Sequence, residues 1–130
     1  PLASRTRLKA GNYRSAAFGR KEYDLVLLSH ITHDESPEVN RRLIEESFRA
    51  LKPGGRIIIH DFMLDADRVK PVFGALFSVH MLAYTEGGRT YTAAEYGKWL
   101  RRAGFARLKG RRIATKSRNS SRILIGVKEK

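Results

Sequence analysis

Two short apolar runs in the chain each end on residues that can titrate. Residues 24–29 (DLVLLS) lead into the segment HITHD, and residues 56–59 (RIII) lead into His60-Asp61. Short runs rich in leucine or β-branched residues are typical of strands that are buried on both faces of a parallel sheet. About 26 residues separate the two runs, which is enough for the helical crossover that a parallel pair needs. Open α/β sheets bind ligands beyond the carboxyl ends of their strands, so we expect His33 and Asp61 to face one crevice.

A helical repeat fills the interval between these two predicted strands. Ser36 is a suitable N-cap, and Pro37 suits the first helical position. Apolar residues then recur at helical spacing, and we expect the helix to end at Lys52 because residues 53–55 (PGG) cannot continue it. The repeating residues are Val39, Leu43, Ile44, Phe48 and Leu51. The pattern therefore predicts a strand, helix, strand unit.

The second half of the chain predicts two more helices and two closing strands. Residues 69–84 have helical length but are apolar nearly all round, which indicates burial on more than one side, either as the wall of a pocket or against a missing partner. Thr92 and Glu95 form a capping box that opens a helix ended by Gly104. Two strands and the turn-rich segment that joins them follow at residues 105–113, 122–127 and 115–121.

The start of the chain has the weakest pattern. Residues 5–10 (RTRLKA) alternate between polar and apolar side chains, which predicts a strand, and Gly11, Asn12 and Tyr13 then predict a loop. No repeat or low-complexity linker interrupts the chain, so we treat residues 1–130 as one domain.

The composition narrows the class of protein. The 130 residues include no cysteine, so neither a disulfide framework nor a thiolate zinc site can form, and this fits a reducing compartment. The longest apolar stretch, residues 72–83, is too short to span a bilayer and contains His80, and no signal peptide is visible. We therefore expect a cytoplasmic protein with no membrane partner.

The net charge of +13 is concentrated at the end of the chain. Of the 26 Lys and Arg residues, 12 lie from Lys98 onward, together with only one of the 13 acidic residues, Glu129. Such a basic segment can attract nucleic acid through counterion release, but it is more often a solvated surface. Nucleic acid is therefore an open partner that the pattern does not favour.

Five blocks of the sequence resemble one family. They are AGNY (10–13), YDLVLLSHITHD (23–34), LKPGGRIIIHDFMLD (51–65), MLAYTEGGRTYT (81–92) and EYGKWLRRAGF (95–105). In order and spacing they resemble the carboxyl-terminal part of the catalytic domain of small-molecule O-methyltransferases, the family that includes the plant caffeate and bacterial hydroxyneurosporene enzymes. The resemblance implies a partial class I methyltransferase fold, a Rossmann-like α/β sheet with helices on both faces, and S-adenosylmethionine as the cofactor.

The same resemblance implies which residues carry the chemistry. It places the general base at His33 and the acidic residue that orients it at Asp61, where many relatives have glutamate. A second orienting glutamate of the plant enzymes falls on Thr90, which has no carboxylate. Histidine suits the task because its ordinary pKa is about 6.5, whereas a phenol, with a pKa near 10, must lose its proton before it attacks.

Binding residues also follow from the resemblance. The adenine contacts fall on Asn12 and Tyr13, with Asn12 in place of the usual aspartate, and a lysine that plant members use near the cofactor falls on Ser29. Met81 and Thr85 match positions that line the acceptor pocket. The implied reaction moves a methyl group from S-adenosylmethionine to a hydroxyl of a small molecule, with an aromatic acceptor favoured.

The other polar side chains near these blocks have simpler interpretations. His30 is expected to be structural, and Asp34 to cap the following helix or to support His33. Three further residues fit no compact metal site together with His33, so we predict no metal ligand. These three are His60, His80 and Asp65.

Three parts that relatives carry have no counterpart in these blocks: an amino-terminal dimerisation and substrate-capping region, a glycine-rich loop after the first strand, and an acidic residue for the cofactor ribose. The glycine pairs at 54–55 and 87–88 are turns, and neither opens a helix after a strand as a cofactor loop must. We therefore expect a fragment or remnant of a longer enzyme, whose sheet lacks the family's first two strands. The strand at 24–29 then becomes a sheet edge, which predicts a homo-oligomer or an exchange of elements between copies.

Two other functions stay open at this stage. The basic closing strands could hold nucleic acid, although the chain lacks the interleaved exposed aromatic residues of single-strand binders. Alternatively, the chain is a structural remnant of a methyltransferase fold that binds no cofactor and has no activity. Binding of S-adenosylmethionine separates the enzyme from both alternatives.

Overall fold

The computed structural model describes residues 1–113 and 121–129, and these form one mixed sheet with three α-helices. In chain order the elements are a 3₁₀ turn (Leu2–Arg5), β1 (Tyr23–Ser29), a second 3₁₀ turn (Thr32–Asp34), α1 (Pro37–Ala50), β2 (Leu51–Asp61), α2 (Val72–Tyr84), α3 (Ala93–Ala103), β3 (Phe105–Arg112) and β4 (Arg122–Lys128). The predicted strand, helix, strand unit is confirmed as β1, α1 and β2.

The described strands lie in the order β1-β2-β4-β3. β1 pairs with β2 in parallel, with Leu28 opposite Ile59 and Ser29 opposite His60. β4 runs antiparallel to both β2 and β3. The predicted parallel pairing is confirmed, and it brings the carboxyl ends of β1 and β2 to the same edge of the sheet.

α1 and α3 cover one face of the sheet and enclose the core with it. Every second residue of a strand points to the same face, and Ile57 and Ile59 of β2 point to this one. Leu43 and Ile44 of α1 and Leu100 of α3 pack there, and all five residues are at most 1% exposed. Burying each of these side chains stabilises the fold by roughly 1.5–3 kcal/mol.

The predicted starts of α1 and α3 and the predicted end of α3 are confirmed. Ser36 Oγ accepts the backbone N–H of Val39 at 3.3 Å at the start of α1. At the start of α3, Thr92 Oγ1 accepts the N–H of Glu95 at 3.1 Å, while Glu95 Oε2 accepts the N–H of Thr92 at 2.8 Å. Gly104 ends α3 in the left-handed conformation, with φ 105°.

Among the described residues, β1 is an edge strand of the sheet, and the face opposite α1 and α3 is open beside it. Leu25 and Leu27 are 52% and 56% exposed although both are apolar. They alternate with Val26 and Leu28, which pack into the core. The expected edge position of this strand is confirmed, and the two helices that pack on the sheet lie on the side away from these leucines.

The predicted strand at residues 5–10 is wrong. The 3₁₀ turn Leu2–Arg5 occupies the first part of this region, and residues 6–10 belong to no helix or strand. A strand needs a neighbour that accepts and donates its backbone hydrogen bonds. None of the four described strands pairs with this segment, so its alternating pattern has nothing to pair with.

Two helix boundaries also differ from the prediction. α1 ends at Ala50 rather than Lys52, because a residue that precedes a proline, here Lys52 before Pro53, is disfavoured in the helical conformation. β2 therefore begins at Leu51 and is longer than the predicted run at 56–59. α2 begins at Val72 rather than residue 69. The predicted turn at 115–121 lies, except for its last residue, outside the described residues.

α2 is apolar nearly all round, yet most of it lies at the surface. Only Gly74 and Met81 of this helix are buried. The predicted burial on more than one side is therefore wrong for the described part of the chain. Several of its large apolar residues are more than 60% exposed, namely Val72, Leu76, Val79 and Leu82. Among the described residues no helix has both the length and the apolar character needed to cross a bilayer.

Candidate active site

The end of β2 and the turn after β1 bring a histidine and an aspartate together. Asp61 is the last residue of β2, and His33 lies in the 3₁₀ turn Thr32–Asp34 that follows β1. His33 Nδ1 lies 2.6 Å from Asp61 Oδ1, and the two residues are 7% and 1% exposed. The predicted convergence of these two side chains at the carboxyl edge of the sheet is confirmed.

Four hydrogen-bond partners surround the Asp61 carboxylate. Thr32 Oγ1 donates to Oδ2 at 2.5 Å, and the backbone N–H of His33 donates to the same oxygen at 3.1 Å. The backbone N–H of Phe62 donates to Oδ1 at 2.8 Å, and the His33 ring is the fourth partner. Because Thr32 uses its proton on Asp61, the hydroxyl of Tyr96, 2.6 Å away, donates to Thr32 Oγ1. These partners offset the cost of burying a charged carboxylate.

Burial and the paired charges act in opposite directions on His33. Burial lowers the pKa of its imidazole, but the hydrogen bond to Asp61 and the negative charges of Asp61 and Asp34 more than offset this, so the pKa lies above its ordinary 6.5. Burial raises the pKa of Asp61, yet its hydrogen bonds and the His33 charge hold that pKa below its ordinary 3.8. The ionised Asp61 therefore accepts the Nδ1 proton of His33, which leaves Nε2 as the free basic nitrogen of the neutral ring.

The turn that carries His33 is held from α1 and from the residues before α3. Asn40 donates through Nδ2 to the carbonyl oxygens of Thr32 at 2.8 Å and Glu35 at 3.2 Å. The hydroxyl of Tyr91 also donates to the carbonyl oxygen of Glu35. All of these residues are buried, so the turn is fixed at both of its ends.

Aromatic rings pack around His33. The ring of Phe77 in α2 meets the imidazole edge to face at a centroid distance of 4.9 Å, and the ring of Phe62 lies 6.0 Å away. Phe62 also contacts Phe73 and Phe77, each at a centroid distance of 5.0 Å. These half-buried rings give the histidine an apolar, flat surface beside its imidazole ring.

The loop that precedes β1 is tied to the turn that carries His33. Tyr13 OH donates to Glu35 Oε1, and Arg14 Nε donates to the same oxygen at 2.9 Å. Arg42 of α1 donates to three backbone carbonyl oxygens of this loop. The predicted adenine contact Tyr13 therefore lies near the same edge of the sheet as His33.

A cavity of about 360 Å³ lies between this loop and β1. Its volume is within the range of small-molecule sites, and its lining includes Gly11, Tyr13, Phe18 and Leu25. The lining is mostly apolar, which suits stacking against the flat faces of an adenine ring. Asn12 does not line the cavity; its Oδ1 accepts the backbone N–H of Arg14 at 2.9 Å. The structure thus brings one of the two predicted adenine contacts to this cavity.

The hydroxyl of Ser29 faces a histidine of the neighbouring strand. Ser29 Oγ lies 2.9 Å from His60 Nδ1, and His60 Nε2 lies 2.7 Å from Ser121 Oγ. These contacts connect the ends of β1 and β2 with the start of β4. Ser29 is the last residue of β1, and its hydroxyl is engaged by His60.

The two predicted acceptor-pocket residues lie at the end of α2. Met81 is buried, and Thr85 Oγ1 donates to its carbonyl oxygen at 2.7 Å while accepting the N–H of Gly88 at 2.8 Å. Thr90 Oγ1 donates to the carbonyl oxygen of Gly74 at 3.0 Å. The hydroxyl of Thr90 is therefore directed at α2 and does not contact His33 or Asp61.

Two residues of the site were not predicted from the sequence. Thr32 precedes the histidine, and Tyr96 lies on the apolar face of α3 that the pattern assigns to the core. A signal for Tyr96 does exist, because a tyrosine on a buried face needs a partner for its hydroxyl. The identity of that partner depends on how α3 packs, which the pattern does not specify.

Gly88 makes the closest approach to the turn that carries His33. A Cβ atom at Gly88 would lie 2.3 Å from the carbonyl oxygen of His33 and 2.6 Å from Thr85 Oγ1. We expect Gly88→Ala to displace the turn and to lower the free energy of unfolding by roughly 1–3 kcal/mol, measured by urea unfolding. Gly110→Ala is the matched control, because its Cβ would make only ordinary contacts at 3.8 Å or more. Equal stability of the two variants would show that the contact at Gly88 is not close.

One family and several known proteins match the chain. The O-methyltransferase domain family matches residues 2–106. The chain is 41% identical over 106 residues to 3-hydroxy-5-methyl-1-naphthoate 3-O-methyltransferase of Streptomyces sahachiroi, a match that covers 82% of this chain and 30% of that relative.

Solved structures of methyltransferases share the fold. A candidate O-methyltransferase of Nostoc punctiforme PCC 73102 is 32% identical with a TM-score of 0.88, covering 98% of this chain and 38% of that one. Human N-acetylserotonin methyltransferase in complex with S-adenosylmethionine is 27% identical with a TM-score of 0.80, covering 94% of this chain and 33% of that one.

The predicted fold class, a part of the class I methyltransferase sheet, is confirmed by these neighbours. The chain spans about 30% of the length of the Streptomyces relative and 38% of the Nostoc protein. The family match covers residues 2–106, which is most of the sequence and includes every residue of the candidate site from Asn12 to Tyr96. The chain therefore belongs to the O-methyltransferase domain family.

Proposed function

We propose that the chain is the carboxyl-terminal part of the catalytic domain of an S-adenosylmethionine-dependent O-methyltransferase, with His33 as its general base. The observation that carries this proposal is the 2.6 Å contact between His33 Nδ1 and Asp61 Oδ1 at the carboxyl ends of two parallel strands. Family membership supports the reaction type and the cofactor. A dimeric enzyme in the cytoplasm is part of the same proposal.

The acceptor is proposed to be the hydroxyl of a small aromatic molecule. The rings of Phe62, Phe73 and Phe77 support this, because they offer a flat apolar surface next to the imidazole. The name of the Streptomyces relative, which describes a hydroxynaphthoate as its substrate, supports the same class.

His33 acts on the acceptor proton. Nδ1 is held by Asp61, so Nε2 accepts the proton of the acceptor hydroxyl as the oxygen attacks. The raised pKa of His33 makes the ring a better proton acceptor, and Asp61 stabilises the imidazolium that forms. Asp34 Oδ1, 3.5 Å from Nε2, adds a second negative charge that favours the protonated ring.

Asp61 is a positioning residue in this scheme. Its other oxygen is held by Thr32, whose hydroxyl is held in turn by Tyr96. Burial raises the pKa of Tyr96 well above 10, so its hydroxyl keeps its proton and stays a donor. The imidazole is therefore fixed in one orientation and one tautomer.

The residues that would hold the cofactor lie on the loop before β1 and at its end. Tyr13, in the cavity beside β1, fits the adenine, while Asn12 and Ser29 are the other proposed contacts. When bound, S-adenosylmethionine supplies a methyl group on a positively charged sulfur. The chain's part in the step is to hold the adenine end near the edge where His33 removes the proton.

Calorimetry with S-adenosylmethionine tests the proposal on the chain itself. We expect a saturable heat of binding that Tyr13→Ala reduces, because this ring lines the cavity, whereas Tyr84→Ala on the exposed side of α2 leaves it unchanged. No heat at millimolar cofactor would contradict binding by this chain and would favour a structural remnant.

We also propose that the isolated chain self-associates through β1. An edge strand presents unpaired backbone donors and acceptors, and Leu25 and Leu27 add exposed apolar surface beside it. A second copy supplies both an identical edge and an identical apolar face. We expect light scattering to report a mass above that of one chain.

Lysine substitutions on β1 and, as a control, on α2 test whether self-association uses the β1 edge. Leu25→Lys with Leu27→Lys should shift the chain toward a monomer, because charge on an edge strand opposes pairing. Leu82→Lys, on the exposed side of α2, should not. A stable monomer of the unmodified chain at high concentration would contradict self-association.

A further inference from the structure

We propose that His30, His33 and Asp61 together bind a divalent transition metal ion, with Zn²⁺ as the ion that fits best. One ligand atom from each of these residues lies within 4.8 Å of the other two. Two imidazole nitrogens and one carboxylate oxygen form a ligand set that zinc takes in sites with an open fourth position. Magnesium prefers oxygen ligands and fits this set poorly.

His30 completes this set because of its position at the end of β1. Its backbone has φ 51°, an uncommon value for a residue other than glycine, and its N–H donates to the carbonyl oxygen of His60 at 2.9 Å. Its ring lies 6.0 Å from that of His33. On sequence alone, His30 is expected to be structural, and the metal ligands that are considered and rejected beside His33 are His60, His80 and Asp65. In the structure it is His30 that lies near His33 and Asp61.

The three groups must move closer to hold an ion. Ligand atoms around a tetrahedral zinc lie about 3.3 Å apart, so the longest separations must shorten by about 1.5 Å at most, and the 2.6 Å contact of His33 with Asp61 must lengthen slightly. His30 is exposed and supplies the larger movement, whereas His33 and Asp61 are buried and held in place.

Metal binding changes the tautomer of His33. Nδ1 is the His33 nitrogen beside Asp61, so it is the one that the pair presents to the ion. To bind zinc, Nδ1 must release to water the proton that it donates to the hydrogen bond with Asp61, and Nε2 takes up a proton from water, so the ring stays neutral. Asp34 Oδ1 lies 3.5 Å from Nε2, so its negative charge favours a proton on this nitrogen. A metal-bound histidine commonly donates its other N–H to a carboxylate, and a small movement of the partly exposed Asp34 side chain brings it into that position.

A consequence for activity follows, and this part rests on the proposed function. With Nε2 protonated and Nδ1 on the metal, His33 has no free nitrogen to accept the acceptor proton. Zinc is therefore an inhibitor of methyl transfer that acts on the base itself. Binding of the ion does not depend on the proposed function and can be measured without any methyl transfer.

Isothermal titration of ZnCl₂ into the chelator-treated chain tests the site. We expect one saturable site per chain and no heat with MgCl₂. His30→Ala should weaken zinc binding by at least about tenfold, since it removes a direct ligand. His80→Ala, an exposed histidine of α2, is the matched control and should bind as the unmodified chain does.

Imidazole NMR signals identify the residues involved. On addition of ZnCl₂ the ring signals of His30 and His33 should shift together, while those of His80 stay unchanged. Absence of saturable zinc binding, or His30→Ala binding zinc as tightly as the unmodified chain, would overturn the proposal. If the chain binds zinc but the complete enzyme transfers no methyl group, the proposed metal site stands and only the proposed function is contradicted.

Discussion

Replacing His33 by alanine in the complete enzyme is expected to lower turnover by about 100- to 10,000-fold, the usual contribution of a general base. Cofactor affinity should change little, because the cavity beside Tyr13 is separate from the His33 imidazole. Steady-state kinetics with a phenolic acceptor and calorimetry with S-adenosylmethionine measure the two quantities side by side.

His80→Ala is the control for this expectation. His80 is exposed on α2 and outside the pair, so turnover and cofactor affinity should both stay unchanged. If His33→Ala lowered turnover and cofactor affinity by the same factor, the histidine would have a structural rather than a catalytic role.

Asp61→Asn is expected to reduce both stability and turnover. The carboxylate accepts from the Thr32 hydroxyl, the Phe62 N–H and two groups of His33, whereas an asparagine must turn an NH₂ group toward two of these donors. Buried donors left without an acceptor cost about 1–3 kcal/mol, so we expect a loss of about 2–4 kcal/mol in urea unfolding. Turnover should fall about 100-fold or more, because the tautomer of His33 is no longer fixed.

The stability difference between the parent and Asp61→Asn should depend on pH in a defined direction. The pKa of His33 is higher in the folded state than its ordinary 6.5. The charged imidazole therefore stabilises the fold fully below about pH 6.5, and this stabilisation is lost as the pH rises through the pKa of the folded state. The pKa of Asp61 is lowered, so its contribution is present above about pH 3.8 and is lost as the pH falls through the folded value. The difference should therefore be largest between about pH 4 and 6.5.

Asp24→Asn is the matched control for this series. Asp24 is an exposed carboxylate paired with Lys52 at 3.0 Å, and an exposed pair contributes at most about 1 kcal/mol. A stability loss for Asp61→Asn no greater than that of Asp24→Asn would contradict the described hydrogen bonds.

The contact between His33 and Asp61 was predictable because its signal is local. His33 and Asp61 each follow an apolar run directly, and two buried runs separated by a helical interval predict parallel neighbours. The helix starts at Ser36 and Thr92 were predictable for the same reason, since a cap and its partner lie within three residues.

Features that depend on distant partners were not predictable. The hydroxyl of Tyr96 meets Thr32 across 64 residues of sequence, and only the packing of α3 against the turn sets that contact. The approach of the His30 ring to within 6.0 Å of the His33 ring depends on a backbone conformation, with φ 51°, that leaves no trace in the pattern.

The wrong predictions share a physical cause. Residues 5–10 alternate as a strand does, but a strand also requires a neighbour, and none of the described strands supplies one. The apolar residues of α2 predict burial, but composition does not specify what covers them, and most lie exposed. Both segments need contacts that the described residues do not provide.

The central claim is that Asp61 orients His33 as a general base. The ¹⁵N NMR shifts of the His33 ring test it most directly. They are followed across pH in chelator-treated buffer and assigned with the variant His33→Gln. We predict a midpoint above pH 6.5 and, on its alkaline side, a neutral ring with the proton on Nδ1 and a bare Nε2. A neutral ring with its proton on Nε2, or a midpoint below pH 6.5, would contradict a general base oriented by Asp61.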